Sequence, residues 1–102
     1  MARRLELQTE LEQLLGSEYV YFQPPESIKL HYPCIIYNKE NWSIRYANNF
    51  PYKMHPNYEI TIIDRDPDAD WDKKMLRTFT YVSVERFFAV DNLYHWVFRL
   101  YY

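Results

Sequence analysis

The side chains that could do chemistry are few, and spacing decides what each could do. Aspartates stand at positions 64, 66, 68, 70 and 72, in the run Asp64-Arg65-Asp66-Pro67-Asp68-Ala69-Asp70-Trp71-Asp72. Alternating carboxylates suit a calcium loop, which also needs a glycine at its sixth position and a bidentate glutamate at its twelfth. With Asp64 first those places hold Ala69 and Met75, and starting at Asp66 or Asp68 fails as well. The run therefore reads as a turn at Pro67 leading into a helix that Asp68 or Asp70 caps, with the other acids near its positive end. Cys34, inside Cys34-Ile35-Ile36-Tyr37, has no base or helix start beside it in sequence. It reads as a small buried hydrophobe and not as a nucleophile. His31, His55 and His95 form no metal-ligand pair and no triad grouping,. A single glycine leaves no phosphate-cradling loop,. The expectation is a protein that is not an enzyme, with no catalytic residue, metal or cofactor.

The chain has 102 residues, which suits one domain over 1–102 with a sizeable core,. Hydrophobic residues make up 48% and aromatics 20%, including 11 tyrosines. Tyrosine is favoured where one end of a side chain is dry and the other wet. Such an excess points to contact surfaces beyond a core, or else to an aromatic core with its hydroxyls in water. Twelve Lys and Arg against 14 Asp and Glu give a net charge of −2, which is no footprint for tight nucleic-acid binding,. One cysteine allows no intramolecular disulfide and fits a reducing compartment,. Met1-Ala2-Arg3-Arg4 leads into an amphipathic pattern, not a signal peptide, and no apolar run approaches a membrane span,. A soluble cytosolic product is expected.

The elements that must position these residues follow from periodicity. Leu7, Leu11, Leu14 and Leu15 mark one face of a helix over 3–15, with Gly16 as its C-terminal cap,. A short strand at 19–22 ends at Pro24-Pro25,. Cys34 to Tyr37 lacks alternation and suits a strand covered on both faces,. Trp42, Ile44 and Tyr46 alternate with polar residues, a loop follows over 48–57, and Tyr58 to Asp64 is the clearest strand,. The 42–47 and 58–64 strands are expected to pair as a hairpin with a protruding tip. A second helix spans about 71–79, with Trp71, Met75, Leu76 and Phe79 on one side,. The fold class is α+β: an antiparallel sheet of about four to five strands carrying two helices, in the order helix, short strand, hairpin, helix, hairpin.

The last hairpin, Thr80 to Tyr102, breaks at Asp91-Asn92,. A two-residue turn would set Val84 against Arg99, whereas a three-residue connection, Asp91 to Leu93, sets Val84 against Leu100, Phe88 against Trp96 and Glu85 against Arg99,. The second register is preferred because it pairs opposite charges and gathers one apolar face from Val82, Val84, Phe88, Val90, Tyr94, Trp96, Phe98 and Leu100, interrupted by Arg86,. It leaves Phe87, Val97 and Tyr101 beside Glu85 and Arg99 on the other face, too aromatic for plain solvent and so suggestive of a partner.

Four segments, Tyr32-Pro33-Cys34-Ile35-Ile36-Tyr37, Tyr46-Ala47-Asn48-Asn49, Ile63-Asp64-Arg65-Asp66-Pro67-Asp68 and Asp91-Asn92-Leu93-Tyr94-His95, set within this order of elements, resemble the neck and tail-completion proteins of long-tailed bacteriophages. The chain looks most like the tail terminator, or tail-to-head joining, group. That resemblance implies helices on one side of an antiparallel sheet and a homo-oligomer, a hexameric ring that caps the tail tube. It implies tail-tube protein and head connector or head-closure protein as partners, genomic DNA passing through the lumen without sequence-specific binding, no catalytic site and no membrane. It also implies a place in the virion neck, reached from the host cytoplasm. On this reading Phe87, Val97, Tyr101, Glu85 and Arg99 form the ring interface. Phe50, Tyr52, Lys53, Met54 and His55 of the 48–57 loop meet the tube or connector, and Asp64, Asp66, Asp68 and Asp70 are the candidates for an acidic lumen that repels the DNA backbone,. Alternatives are another neck component, a head-closure or adaptor protein, or a small host-directed binding or inhibitor module.

Overall fold

Helix α1 spans Arg3–Leu15 because its leucines fall on one stripe, and Gly16 ends it at φ +80°, a conformation that suits only glycine without strain,. The computed structural model describes residues 3–25, 29–39 and 57–102. After α1 come strand β1 (Val20–Phe22), strand β2 (Cys34–Lys39), strand β3 (Asn57–Asp64), helix α2 (Trp71–Thr78), strand β4 (Val82–Val90) and strand β5 (Leu93–Tyr101). The α+β class expected from sequence is the fold observed. The five strands lie in the order β1-β2-β3-β5-β4 and pair antiparallel, except that β1 runs parallel to β2.

One face of the sheet alternates apolar residues along every strand, and both helices lie on it. Val20, Ile35 and Tyr37, then Tyr58, Ile60 and Ile62, then Trp96, Phe98 and Leu100 meet Leu7 and Leu11 of α1 and Trp71, Met75 and Phe79 at α2. Burial of that continuous apolar area is the main stabilising term of the fold. Gln8 of α1 joins the layers, donating through Nε2 to the Val20 carbonyl at 3.0 Å while its Oε1 accepts from the Tyr37 hydroxyl.

Two expectations about partners are corrected here. β3 is flanked along its length by β2 and by β5, with Ile62 opposite both Ile35 and Trp96, so it does not form a hairpin with 42–47. The 42–47 segment itself lies outside the described residues. Leu76 is exposed, not core, because it stands one residue past Met75, about 100° around the helix,.

The terminal hairpin also differs from the three-residue connection and its pairing. Asp91 and Asn92 form a two-residue turn with φ of 55° and 64°, and Val90 faces Leu93. Positive φ at both central residues is the type I′ geometry whose twist matches that of the strands, and Asn and Asp tolerate it better than other L-residues. The clash that argued against this turn, Val84 beside Arg99, is removed by a β-bulge at Glu85. Arg86 pairs with Val97, but Val84 pairs with Phe98 and Ser83 with Arg99. One extra residue therefore restores Val82 and Val84 to the helix side, and beyond the bulge it is Phe87 and Ala89 that join them,. Phe88, Arg86 and Val90 lie on the opposite, far face.

Candidate functional site

Among the described residues β4 is one of the two edge strands of the sheet, nine residues long, and every residue in it after Val82 is exposed. Its sequence Val82-Ser83-Val84-Glu85-Arg86-Phe87-Phe88-Ala89-Val90 puts apolar side chains on both faces. On the helix side Phe87 is 53% exposed; its ring packs 5.0 Å from Trp96 and 6.1 Å from Tyr94. Val84 is exposed on the same side. On the far face Phe88 is 37% exposed and stacks on His95 at 4.7 Å, and Val90 is exposed. The helices are short, and although α2 contacts β4, every residue of that strand after Val82 remains exposed.

Beside the bulge the far face is charged. Glu59, Glu85, Arg86 and Arg99 line a hollow of about 260 Å³ floored by Val97 and Phe98. Glu59 stands directly opposite Arg99 across β3 and β5, and Glu85 accepts a 2.8 Å hydrogen bond from the Ser83 hydroxyl. Two acids and two bases compensate one another there, so the hollow offers no single-sign field for a charged ligand.

The residues expected to form the ring interface are thus divided. Phe87 is on the helix side, not beside Val97. Val97 is 2% exposed and belongs to the buried sheet, while Tyr101 is half-buried. Glu85 and Arg99 share the hollow, but the cross-strand partner of Arg99 on β4 is Ser83. Phe88, expected in the core opposite Trp96, is instead on the surface opposite His95. Phe50, Tyr52, Lys53, Met54 and His55 lie outside the described residues. Val84, Phe88 and Val90, expected on the apolar core face that Arg86 interrupts, are all exposed, as is Arg86. Asp-Asn between two β-rich runs, read as a type I′ turn, and the adjacent charges Glu85-Arg86, read as a bulge, are the signals that lead to them.

The acidic run is organised by its own backbone. Asp64 Oδ1 accepts from the Arg65 and Asp66 amides at 2.7 and 3.2 Å, and Asp66 Oδ1 accepts from the Asp68 amide at 2.9 Å. These are the local bonds by which Asp favours turns. Asp64 Oδ2 also accepts from Trp71 Nε1 at 2.9 Å, tying the end of β3 to the start of α2. Asp64 is therefore a structural residue, while Asp66, Asp68 and Asp70 are exposed. Asp70 takes the N-cap position of α2 without a side-chain cap bond, so neither it nor Asp68 caps the helix in the expected way. Among the described residues no group of three or more His, Cys, Asp and Glu comes together, and no helix is long and apolar enough to cross a membrane.

Cys34 is fully buried on the far face next to Ile63. Burial, and secondarily the charge of Asp64, push its thiol up to about 11, which leaves it protonated and a poor nucleophile. His31 stacks on Tyr19 and His95 on Phe88, far apart in the sheet order. Comparison with family models, curated proteins and solved structures finds no match for the chain.

Proposed function

We propose that this chain is a structural subunit whose β4–β5 hairpin packs against other protein chains, and that the assembly is the ring at the top of a long-tailed phage's tail. The observation that carries the first part is the exposed edge strand β4, which holds apolar side chains in water on both faces, Val84 and Phe87 on one and Phe88 and Val90 on the other. Contiguous exposed apolar surface on a long edge is a feature that chains acting alone suppress and chains that assemble use. A two-faced hairpin also suits a ring, in which each subunit presents one surface to the neighbour on its left and a different one to the right.

The phage part rests on the resemblance. Three of its four segments meet at one end of the sheet: Cys34 pairs with Ile63, Ile63 with His95, and the Arg65 guanidinium lies over the Tyr32 ring at 5.6 Å. Short segments far apart in sequence are thereby parts of one place in the fold. The exposed acids at 66, 68 and 70 are available to line a lumen through which DNA slides, since like charge makes few phosphate contacts,.

Purified protein incubated with tail tubes lacking their terminator should cap one end of each tube, visible in negative stain as a ring. A protein that binds neither tubes nor head connectors at any concentration would remove the phage reading. Stoichiometric capture of one host protein, with no copy in purified virions, would favour the host-directed module instead.

A further inference from the structure

The main-chain groups of β4 that face away from β5 can be assigned by alternation. The Tyr101 amide donates to the Tyr81 carbonyl at 3.0 Å, and a two-residue turn makes Val90 and Leu93 a hydrogen-bonded pair,. Counting alternately from both ends, and allowing for the extra residue at Glu85, the amides and carbonyls of Val82, Val84, Phe87 and Ala89 point outward. Among the described residues no strand lies on that side. These four positions are symmetric about the peptide bond between Glu85 and Arg86, the two residues of the bulge.

The geometry points to an antiparallel pairing of β4 with β4 of a second copy of this chain, about a two-fold axis that runs between the two strands, perpendicular to the sheet and level with the Glu85–Arg86 bond. In that register Val82 forms a hydrogen-bonded pair with the second copy's Ala89, and Val84 with the second copy's Phe87. Every outward main-chain group on one copy meets an outward group on the other. On the helix side the exposed side chains of Val84 and Phe87 are thereby covered. On the far face Glu85 meets the second copy's Arg86, and Arg86 the second copy's Glu85, so the two charged residues complement themselves twice. No proline or lysine in β4 blocks the approach,. The bulge, which misfits an ordinary straight strand, fits another strand bulged at the same place and so selects this register over slipped ones.

The dimer requires no tail protein and is independent of the phage reading. A two-fold contact closes on itself and does not build a six-membered ring, so this is the form of the free subunit and must open before the hairpin serves a head-to-tail interface.

Analytical ultracentrifugation of the full chain, alone, should show a monomer–dimer equilibrium. Glu85→Arg and Arg86→Glu each replace two opposite-charge contacts by two like-charge ones and should each weaken the dimer roughly tenfold or more. An equimolar mixture of the two variants should dimerise again as a heterodimer, and so should the double variant carrying both changes. A structural role for either side chain within its own chain cannot produce rescue by mixing. Hydrogen exchange on the unmodified chain provides a second readout: the amides of Val82, Val84, Phe87 and Ala89 should become protected as protein concentration rises. A strictly monomeric wild type, folded single variants that fail to recover on mixing, or β4 amides protected independently of concentration would each overturn the proposal.

Discussion

Two buried groups on β2 set measurable limits. The Cys34 thiol is raised from 9.0 to about 11, first by burial and then by Asp64, and the Tyr37 hydroxyl is raised, first by burial. Below the thiol's unfolded value both states keep the proton and stability is unaffected. As pH rises from 9.0 towards about 11 the unfolded chain releases a proton that the folded chain retains, so stability falls across that window,. Tyr37 adds to the same alkaline loss. Urea midpoints measured on either side of the window should show the decline, and Cys34→Ala should reduce its slope. For the same reason Cys34 should react with a thiol reagent only at the rate at which the chain opens. Gln8 gives a second test at this scale. Leucine there fills the space but leaves the buried Tyr37 hydroxyl without its acceptor and the Val20 carbonyl without its donor. A loss of about 1–3 kcal/mol is expected from Gln8→Leu, read by chemical denaturation.

At the scale of elements the terminal turn is the most exacting. Asn92 at φ 64° suits glycine as well or better, whereas a β-branched residue is strained there,. Asn92→Gly should preserve or raise the melting temperature, and Asn92→Val should cost about 1–3 kcal/mol. The bulge makes a different prediction. Deleting Glu85 restores strict alternation without turning Val84 or Arg86 to the wrong face, so the fold should survive with an unchanged circular dichroism spectrum. A straight, unguarded edge should then aggregate, measured by light scattering. This bulge also explains how much of the fold was legible in sequence. Both helices, β3 and the inward face of β5 follow from local periods of 3.6 and 2, and the structure places them as expected. The register of β4 does not, because a single added residue keeps each half of the strand regular while shifting one half against the other. Phe87 and Phe88 take the faces opposite to those expected because the turn has two residues and not three, and the bulge then returns Val82 and Val84 to the helix side. The pairing of β3 with β2 and β5, and the parallel placement of β1, depend on contacts between residues distant in sequence, on which local pattern is silent. The aromatic excess of the hairpin points to a surface there, but its members differ from the expected ones: Val97 is buried and Phe88 is exposed.

For the molecule as a whole, the question is whether the hairpin's aromatic rings serve the fold or the assembly, and the two faces separate the answers. Phe98, wholly buried among the helix-side residues, is a fold residue, and Phe98→Ala should cost about 3–5 kcal/mol and unfold a chain of marginal stability,. Phe87 and Phe88 each lean on one or two aromatic neighbours while leaving much of the ring in water. Their replacement by serine removes less burial and leaves no closed cavity, so each should cost about 1 kcal/mol, a shift of about 4–8 °C in Tm for a domain of this size. If the hairpin meets other chains through both faces, Phe87→Ser and Phe88→Ser should each weaken tube capping by far more than this loss of stability explains, and the double variant should be folded yet fail to cap. Capping that tracks Tm alone, variant by variant, would assign the rings to the fold and leave the assembly surface elsewhere. The two-fold contact is distinguishable in the same series, because Phe87 lies across from Val84 of the second copy whereas Phe88 lies on the other face, over Ser83. Phe87→Ser should therefore weaken the free dimer more than Phe88→Ser does, while a ring that uses both faces loses from either.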